Sequence, residues 1–258
     1  MRDLHAHHLS KYFSGVRVVK DVDFTIRPGE IVGYLGPNGS GKTTTAKMLA
    51  GLLEPSAGYV EYGGRDICHD VVAFRRELGY IPEEPYLYPF LCGSEYLHLI
   101  GRLREIPEAL LTTKIEGFLD LFGLRSSADQ SIASYSKGMR QKIVISAALL
   151  HDPSVVLFDE PETGLDVATT LMLRHLVRLL AARGKAILYS SHILEVVERV
   201  CDKVIVLHNG EVVADDSIAN LSSLLSRDSL EGVFSELVIR EDPERLARDL
   251  AELSALGA

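Results

Sequence analysis

The sequence predicts an α/β protein: a core of buried strands alternating with helices, a small antiparallel sheet ahead of it, and a mostly helical stretch inserted within it. Three observations lead there. A glycine-rich loop separates a strand-like run from a helix-like run, two later apolar runs read as strands covered on both faces, and the hydrophobic period turns helical near Pro85 and strand-like again after Leu150.

In chain order, Val16 to Val19, Val22 to Ile26 and Ile31 to Leu35 are short β-type runs broken by Pro28-Gly29, as in a small antiparallel sheet. His5, His7 and His8 have the spacing of metal ligands, yet alternation in an edge strand explains them as well, and no metal is expected there. Gly36-Pro37-Asn38-Gly39-Ser40-Gly41-Lys42-Thr43 follows Leu35 and opens onto Thr44 to Ala50, which reads as a helix. From Pro85 to Leu150, residues such as Leu97, Ile100, Leu111, Ile115 and Leu119 recur on helical faces. Val155 to Phe158 and Ala186 to Tyr189 are the two continuous apolar runs, with a helix expected over Thr169 to Arg183, stopped by Gly184. Ile193 to Val200 reads as helical. In the tail, Asp242-Pro243-Glu244 looks like a helix start, with Leu246, Leu250 and Leu253 as one apolar stripe.

Composition narrows the function classes. The 258 residues carry 27 Lys and Arg against 36 Asp and Glu, a net charge of −9, which argues against broad basic surfaces for nucleic acid. Cys68, Cys92 and Cys201 have neither disulfide-framework nor CxxC spacing and are expected to be reduced, in a cytosolic chain. The start lacks the apolar stretch of a signal peptide, and no 18 uncharged apolar residues run together, so the chain itself is not expected to cross a membrane.

The glycine loop has the chemistry of a nucleoside-triphosphate cradle. Glycine, four free positions, glycine, lysine and a hydroxyl let backbone N–H groups close on phosphate oxygens with no Cβ in the way, at the positive end of a helix. Lys42 is placed to reach the β- and γ-phosphates and Thr43 to ligate Mg²⁺. A dinucleotide site does not fit, because Thr44 stands where a third glycine belongs. The strand Val155 to Phe158 ends in Asp159-Glu160, where ligands of open α/β sheets sit. Asp159 is the candidate Mg²⁺ holder and Glu160 the group that orients and deprotonates an attacking water.

With these motifs the chain resembles the ATP-binding cassette (ABC) ATPases over nearly its whole length. Ser134-Tyr135-Ser136-Lys137-Gly138-Met139-Arg140-Gln141 stands at the family's signature, followed by Asp159-Glu160-Pro161, by Thr163-Gly164-Leu165-Asp166, and by Ser190-Ser191-His192 at a switch histidine. The resemblance implies an ATP- and Mg²⁺-dependent ATPase with its cassette over residues 1–220, a helical subdomain about 85–150, and a short tail over 221–258. It implies nucleotide contacts from Phe13 (Tyr12 is adjacent and offers a second ring), from Gly36 to Thr44, and from Asp166. Ser136, Lys137 and Gly138 are implied to meet the γ-phosphate of ATP held by a second cassette, so that two cassettes close head to tail.

Two departures stand out. Glu83, in Gly79-Tyr80-Ile81-Pro82-Glu83, replaces the family's glutamine near Mg²⁺ and the γ-phosphate, and Lys137 fills a usual glycine. Such variants are similar to exporter-type cassettes. Tyr86, Tyr88, Phe90 and Tyr96 lie where the family receives a membrane-spanning partner, although such aromatics also fill helical cores. The expected role is the ATPase subunit of a transporter, of the exporter type by this resemblance, on the cytoplasmic face of the membrane. The alternative is a soluble cassette protein that remodels DNA or ribosomes; such relatives usually carry paired cassettes, coiled-coil insertions or basic extensions.

Overall fold

In the computed structural model, residues 2–224 and, further on, Gly232, Phe234 and Val238 are described. The expected tail helix and its stripe of Leu246, Leu250 and Leu253 lie outside the described residues.

Two sheets form the frame. Strands β1 (Leu4–Phe13), β2 (Val16–Ile26), β4 (Ala57–Tyr62) and β5 (Arg65–Asp66) make an antiparallel sheet in the order β2-β1-β4-β5. The second sheet is built from β3 (Ile31–Leu35), β6 (Leu78–Ile81), β7 (Val155–Asp159), β8 (Ala186–Ser191), β9 (Lys203–His208) and β10 (Glu211–Ser217). Its order is β10-β9-β3-β8-β7-β6, parallel except for β10.

Both faces of this sheet's inner strands are covered, which is why Val155 to Phe158 and Ala186 to Tyr189 are apolar at every position. Ile31, Leu35, Val156, Phe158, Ile187 and Tyr189 face one core; the intervening Val32, Tyr34, Val155, Leu157, Ala186 and Leu188 face the other. The first core is closed by the helices α3 (Gly93–Leu103), α4 (Glu108–Leu121), α5 (Lys137–Leu149), α6 (Val167–Ala182) and α7 (Leu194–Val200). The second is closed by the antiparallel sheet with α1 (Lys42–Leu49) and α2 (Val71–Arg76).

The structure corrects several expectations. Ile31–Leu35 does not belong to the antiparallel sheet: it pairs in parallel with β8 and β9 at the centre of the core. Arg27 to Glu30 turns the chain out of the first sheet, and the apolar run was long enough for either environment. Val16 to Val19 and Val22 to Ile26 are one strand; Asp21 at φ 58° and His8 at φ 47°, whose side chains meet at 3.0 Å, mark an irregularity that shifts the register rather than ending the strand. β1 is not an edge strand, because β2 and β4 flank it. Helix α6 starts two residues before the expected Thr169, because Asp166 caps it.

Candidate functional site

Parallel pairing sets four strand ends side by side. Leu35 is in register with Ser191, Asp159 with Ser190, and Ile81 with Phe158. The loops that follow these strands, which begin at Gly36, Glu160, Pro82 and His192, therefore leave one edge of the sheet together.

The glycine loop is shaped for close approach of a ligand to backbone. Gly39 and Gly41 have φ of 80° and 106°, a region costly for other residues. A Cβ on Gly36 would collide with the Leu207 carbonyl oxygen and come within 2.6 Å of Ser40 Oγ. Gly210 N–H donates to the Ser40 carbonyl at 3.1 Å, so the β9–β10 turn braces the loop from behind. Lys42 is only 6% exposed; its Nζ donates to Gly36 O at 2.7 Å and Pro37 O at 3.3 Å, and lies 3.7 Å from Glu160 Oε1. The loop borders a cavity of about 300 Å³ shared by Asn38, Lys42, Thr43, Thr44, Glu83 and Glu160.

Two carboxylates are sunk at its base. Asp159 is fully buried and accepts from Thr43 Oγ1 at 3.3 Å and from the Tyr80 hydroxyl at 3.3 Å. Burial pushes its carboxyl above the usual range against those two hydrogen bonds, and neighbouring Glu160 adds to the rise. Burial, with Asp159 next to it, likewise pushes the Tyr80 phenol up, so Tyr80 stays a donor. Glu160, 7% exposed, holds a positive φ of 50°. Its Oε2 takes a 2.8 Å hydrogen bond from His192 Nδ1, whereas its buried Oε1 has no hydrogen-bond partner. One oxygen is thereby fixed, and the other faces Lys42 and the cavity as a free acceptor. Thr43 and Asp159 put a hydroxyl and a carboxylate in contact, and Glu83 adds a third acid at the rim; these oxygens suit a hard divalent cation.

The remaining sequence candidates lie elsewhere. Phe13 and Tyr12 are about half exposed and neither borders the cavity; Lys11 sits over the Phe13 ring at 5.6 Å and Arg17 over the Tyr12 ring at 5.7 Å. Ser136, Lys137, Gly138 and Asp166 are also outside it. Ser136 caps α5, its hydroxyl accepting from Met139 N–H at 3.2 Å. Gly138 is packed so closely on the next loop that a Cβ would lie 2.6 Å from the Gly164 carbonyl oxygen. The Lys137 stem would press on any Cβ at Gly164. Asp166 caps α6 through Thr169 N–H at 2.9 Å and Thr169 Oγ1 at 2.7 Å, which together hold its carboxyl down at about 2.

Three side chains that sequence reasoning passed over connect these places. Tyr80 steadies Asp159, as above. Gln141 Nε2 donates to the Pro161 carbonyl at 3.3 Å, tying α5 to the turn that follows Glu160. Glu162 accepts from Arg174 Nε and Nη2 at 2.9 and 3.0 Å and from the Tyr189 hydroxyl at 2.7 Å. Their one sequence signal is that a buried tyrosine hydroxyl in a strand needs a partner. Size alone does not locate the site: a cavity of about 500 Å³ beside Tyr62, Phe74 and Arg76 carries none of the motif residues.

Comparison with known proteins agrees with this geometry. Residues 19–163 match the family model described as ABC transporter. The chain is 38% identical over 226 residues to the ABC transporter ATP-binding protein NatA of Bacillus subtilis (strain 168), covering 87% of this chain and 92% of that one. It is 36% identical over 206 residues to the Nod factor export ATP-binding protein I of Ralstonia nicotianae, covering 80% of this chain and 64% of that one. A solved structure described as an ATP binding subunit of an ABC transporter superposes with a TM-score of 0.85 at 35% identity, over 91% of this chain and 98% of that one.

Proposed function

Because this chain belongs to the ATP-binding cassette transporter family and is an ATPase of that type, we propose that it powers a separate membrane-spanning subunit, in an exporter, as one of two cassettes that close on ATP. The observation that carries the reading is the division of its motif residues. Lys42, Thr43 and Glu160 border one cavity, with Asp159 buried behind it and bonded to Thr43, whereas Ser136 and Gly138 stand at an outward helix start away from it. A lone chain then holds half a catalytic site twice over, and a second cassette completes each half.

In this mechanism the loop N–H groups and Lys42 hold the β- and γ-phosphates, Lys42 exchanging the Gly36 and Pro37 carbonyls for phosphate oxygens. Thr43 and Asp159, with Glu83 at the rim, would hold Mg²⁺, which when bound neutralises charge developing between the β- and γ-phosphates. Glu160 takes the proton of the attacking water through its free Oε1 while His192 keeps the carboxylate oriented. The water oxygen bonds to the γ-phosphorus, the bond to the ADP oxygen breaks, and phosphate and ADP result. Ser136 and the helix start behind it would cap the γ-phosphate on the partner cassette.

Support for export comes from the Glu83 and Tyr-Ser-Lys-Gly-Met variants and from the export function in the name of the Ralstonia relative. Among the described residues no helix is long and apolar enough to cross a membrane, which fits a translocation path on a separate subunit. Attachment at the cytoplasmic face through that partner, with no role for nucleic acid, follows from the same reading. Its test is purification with the native membrane subunit and reconstitution in vesicles. ATP-driven movement of cargo away from the cassette side is the expected result. A chain that hydrolyses ATP yet associates with no membrane subunit would overturn the reading.

A further inference from the structure

The outward face of the antiparallel sheet carries a side-chain cluster that the nucleotide chemistry does not use. Along β1, Leu4 and Ala6 enter the core, so His5 and His7 stand on the opposite face. His5 is in register with Glu61 of β4, and Asp23 of β2 is bonded to His5 from the other side. We propose that His5, His7 and Asp23 bind one divalent transition-metal ion of the zinc type, with Glu61 in reach of the fourth position.

Four features carry this. One ligand atom from each of His5, His7 and Asp23 falls within a span of 4.8 Å, so small side-chain movements bring all three onto one ion. The paired donors already have the right separation: His5 Nε2 to Asp23 Oδ1 and His7 Nε2 to Glu61 Oε2 are each 3.2 Å. Two ligands on one tetrahedral zinc, with bonds of about 2.0–2.1 Å, lie about 3.3 Å apart. The His7 nitrogen is also unexplained by ordinary pairing, since Nε2 is shut off from solvent and its approach to Glu61 is out of line for a hydrogen bond. Finally, the scaffold is stiff. β1 is bonded on both sides, and the Tyr59 ring stacks on His7 at 4.4 Å and 17°.

Donor chemistry selects the metal. Two imidazoles with one or two carboxylates suit zinc, cobalt or nickel, whereas Mg²⁺ and Ca²⁺ prefer oxygen throughout. Plain histidine–carboxylate pairing accounts for Asp23, which is bonded to His5 and faces His8 Nε2 at 3.6 Å, but leaves His7 Nε2, 3.2 Å from Glu61 Oε2, in a contact that is not a hydrogen bond.

The test uses the full-length chain without an affinity tag, in excess Mg²⁺ so that the nucleotide site does not compete. Zn²⁺ and Co²⁺ are titrated by calorimetry, with Co²⁺ absorbance reporting ligand type. One ion per chain is expected at roughly micromolar Kd or tighter, without the thiolate band that cysteine ligation would give. Zn²⁺ should raise the Tm of the wild type. A His5→Gln, His7→Gln variant should bind at least about tenfold more weakly and lose that rise, while its ATP affinity is kept. Asp23→Asn, a change at an exposed side chain, provides the same readout should the double variant fold poorly. No binding by the wild type, equal affinity in these variants, or loss of binding in Cys68→Ser would each overturn the proposal.

Discussion

The cavity behind the glycine loop and the outward start of α5 are built from opposite materials. At the first, Lys42, Asp159 and Glu160 are buried, Lys42 lying 3.7 Å from Glu160 and Asp159 bonded to Thr43 and Tyr80, with one acceptor oxygen left over. At the second, Ser136, Lys137 and Asp166 are exposed; Ser136 and Asp166 cap their own helices, and Asp166 also meets Lys142 of α5 at 3.5 Å. Buried charge that survives folding has to be paired, and pairing is what pre-organises it for a ligand. Exposed caps need no further partner to be stable, which leaves them free to meet a second surface. On the proposed reading, the contrast separates the half of the site that one chain completes from the half that it offers to another.

The sharpest way to break that contrast is to disable the buried half. Glu160→Gln removes the proton acceptor while keeping the side chain's size, so turnover should fall about a hundredfold or more with ATP affinity retained and a closed dimer trapped by ATP. Near wild-type turnover, measured by phosphate release, would take Glu160 out of the role. Ser136→Arg attacks the exposed half. Hydrolysis should drop by about a hundredfold, yet ATP affinity by calorimetry should not change, because the chain's own loop is intact.

Mixing separates the two halves directly. Ser136→Arg chains combined with Lys42→Ala chains regain one complete site, from Lys42 of the first and Ser136 of the second, and the mixture should hydrolyse faster than either variant alone. Absence of complementation, with mixed dimers verified by crosslinking, would mean that Ser136 does not act across a dimer or that both sites must fire. Alone, Lys42→Ala should weaken ATP binding by about tenfold or more through loss of a charge-assisted contact, and unchanged affinity would remove the cradle from the account.

The smallest expected effect belongs to Asp166. If it serves mainly as the α6 cap, Asp166→Ala should lower Tm by about 3 °C with ATP affinity of the isolated chain unaltered. Its carboxyl is held at about 2 by the Thr169 N–H and hydroxyl, below the 3.8 of a free aspartate. The stabilisation is therefore present above about pH 3.8 and lost as pH falls through about 2, and the Tm gap between variant and wild type should close over that window. A gap that persists below it would assign the effect to something other than the charged cap.

Legibility in the sequence followed the range of the interaction concerned. The glycine loop could be read because turn, cradle and helix start are contiguous, and each needs its own residue type. The buried strands could be read because a two-sided strand must be apolar throughout, as Val155 to Phe158 is. That same rule misplaced Ile31–Leu35, since an apolar run fits either sheet and only its partners β8 and β9 decide between them. For Tyr80 the sequence could signal only that a strand tyrosine hydroxyl needs a partner, not which one, because its bond to Asp159 spans 79 residues of sequence.

By itself, then, the sequence determined the kinds of element, the glycine loop and the side-chain chemistry available at each motif, all of which depend on neighbours a few residues away. Only the tertiary structure decided which motifs meet. Parallel register brings the ends of β3, β7, β8 and β6 to one edge, so Lys42, Glu160, His192 and Glu83 converge there. The cap of α5 faces away, on a separate element. It likewise set β1 between two strands and so gathered His5, His7 and Asp23 on one face. The physical reason is common to all three: hydrogen-bonded register between distant strands fixes positions to within a residue, and no local pattern of side chains encodes that register.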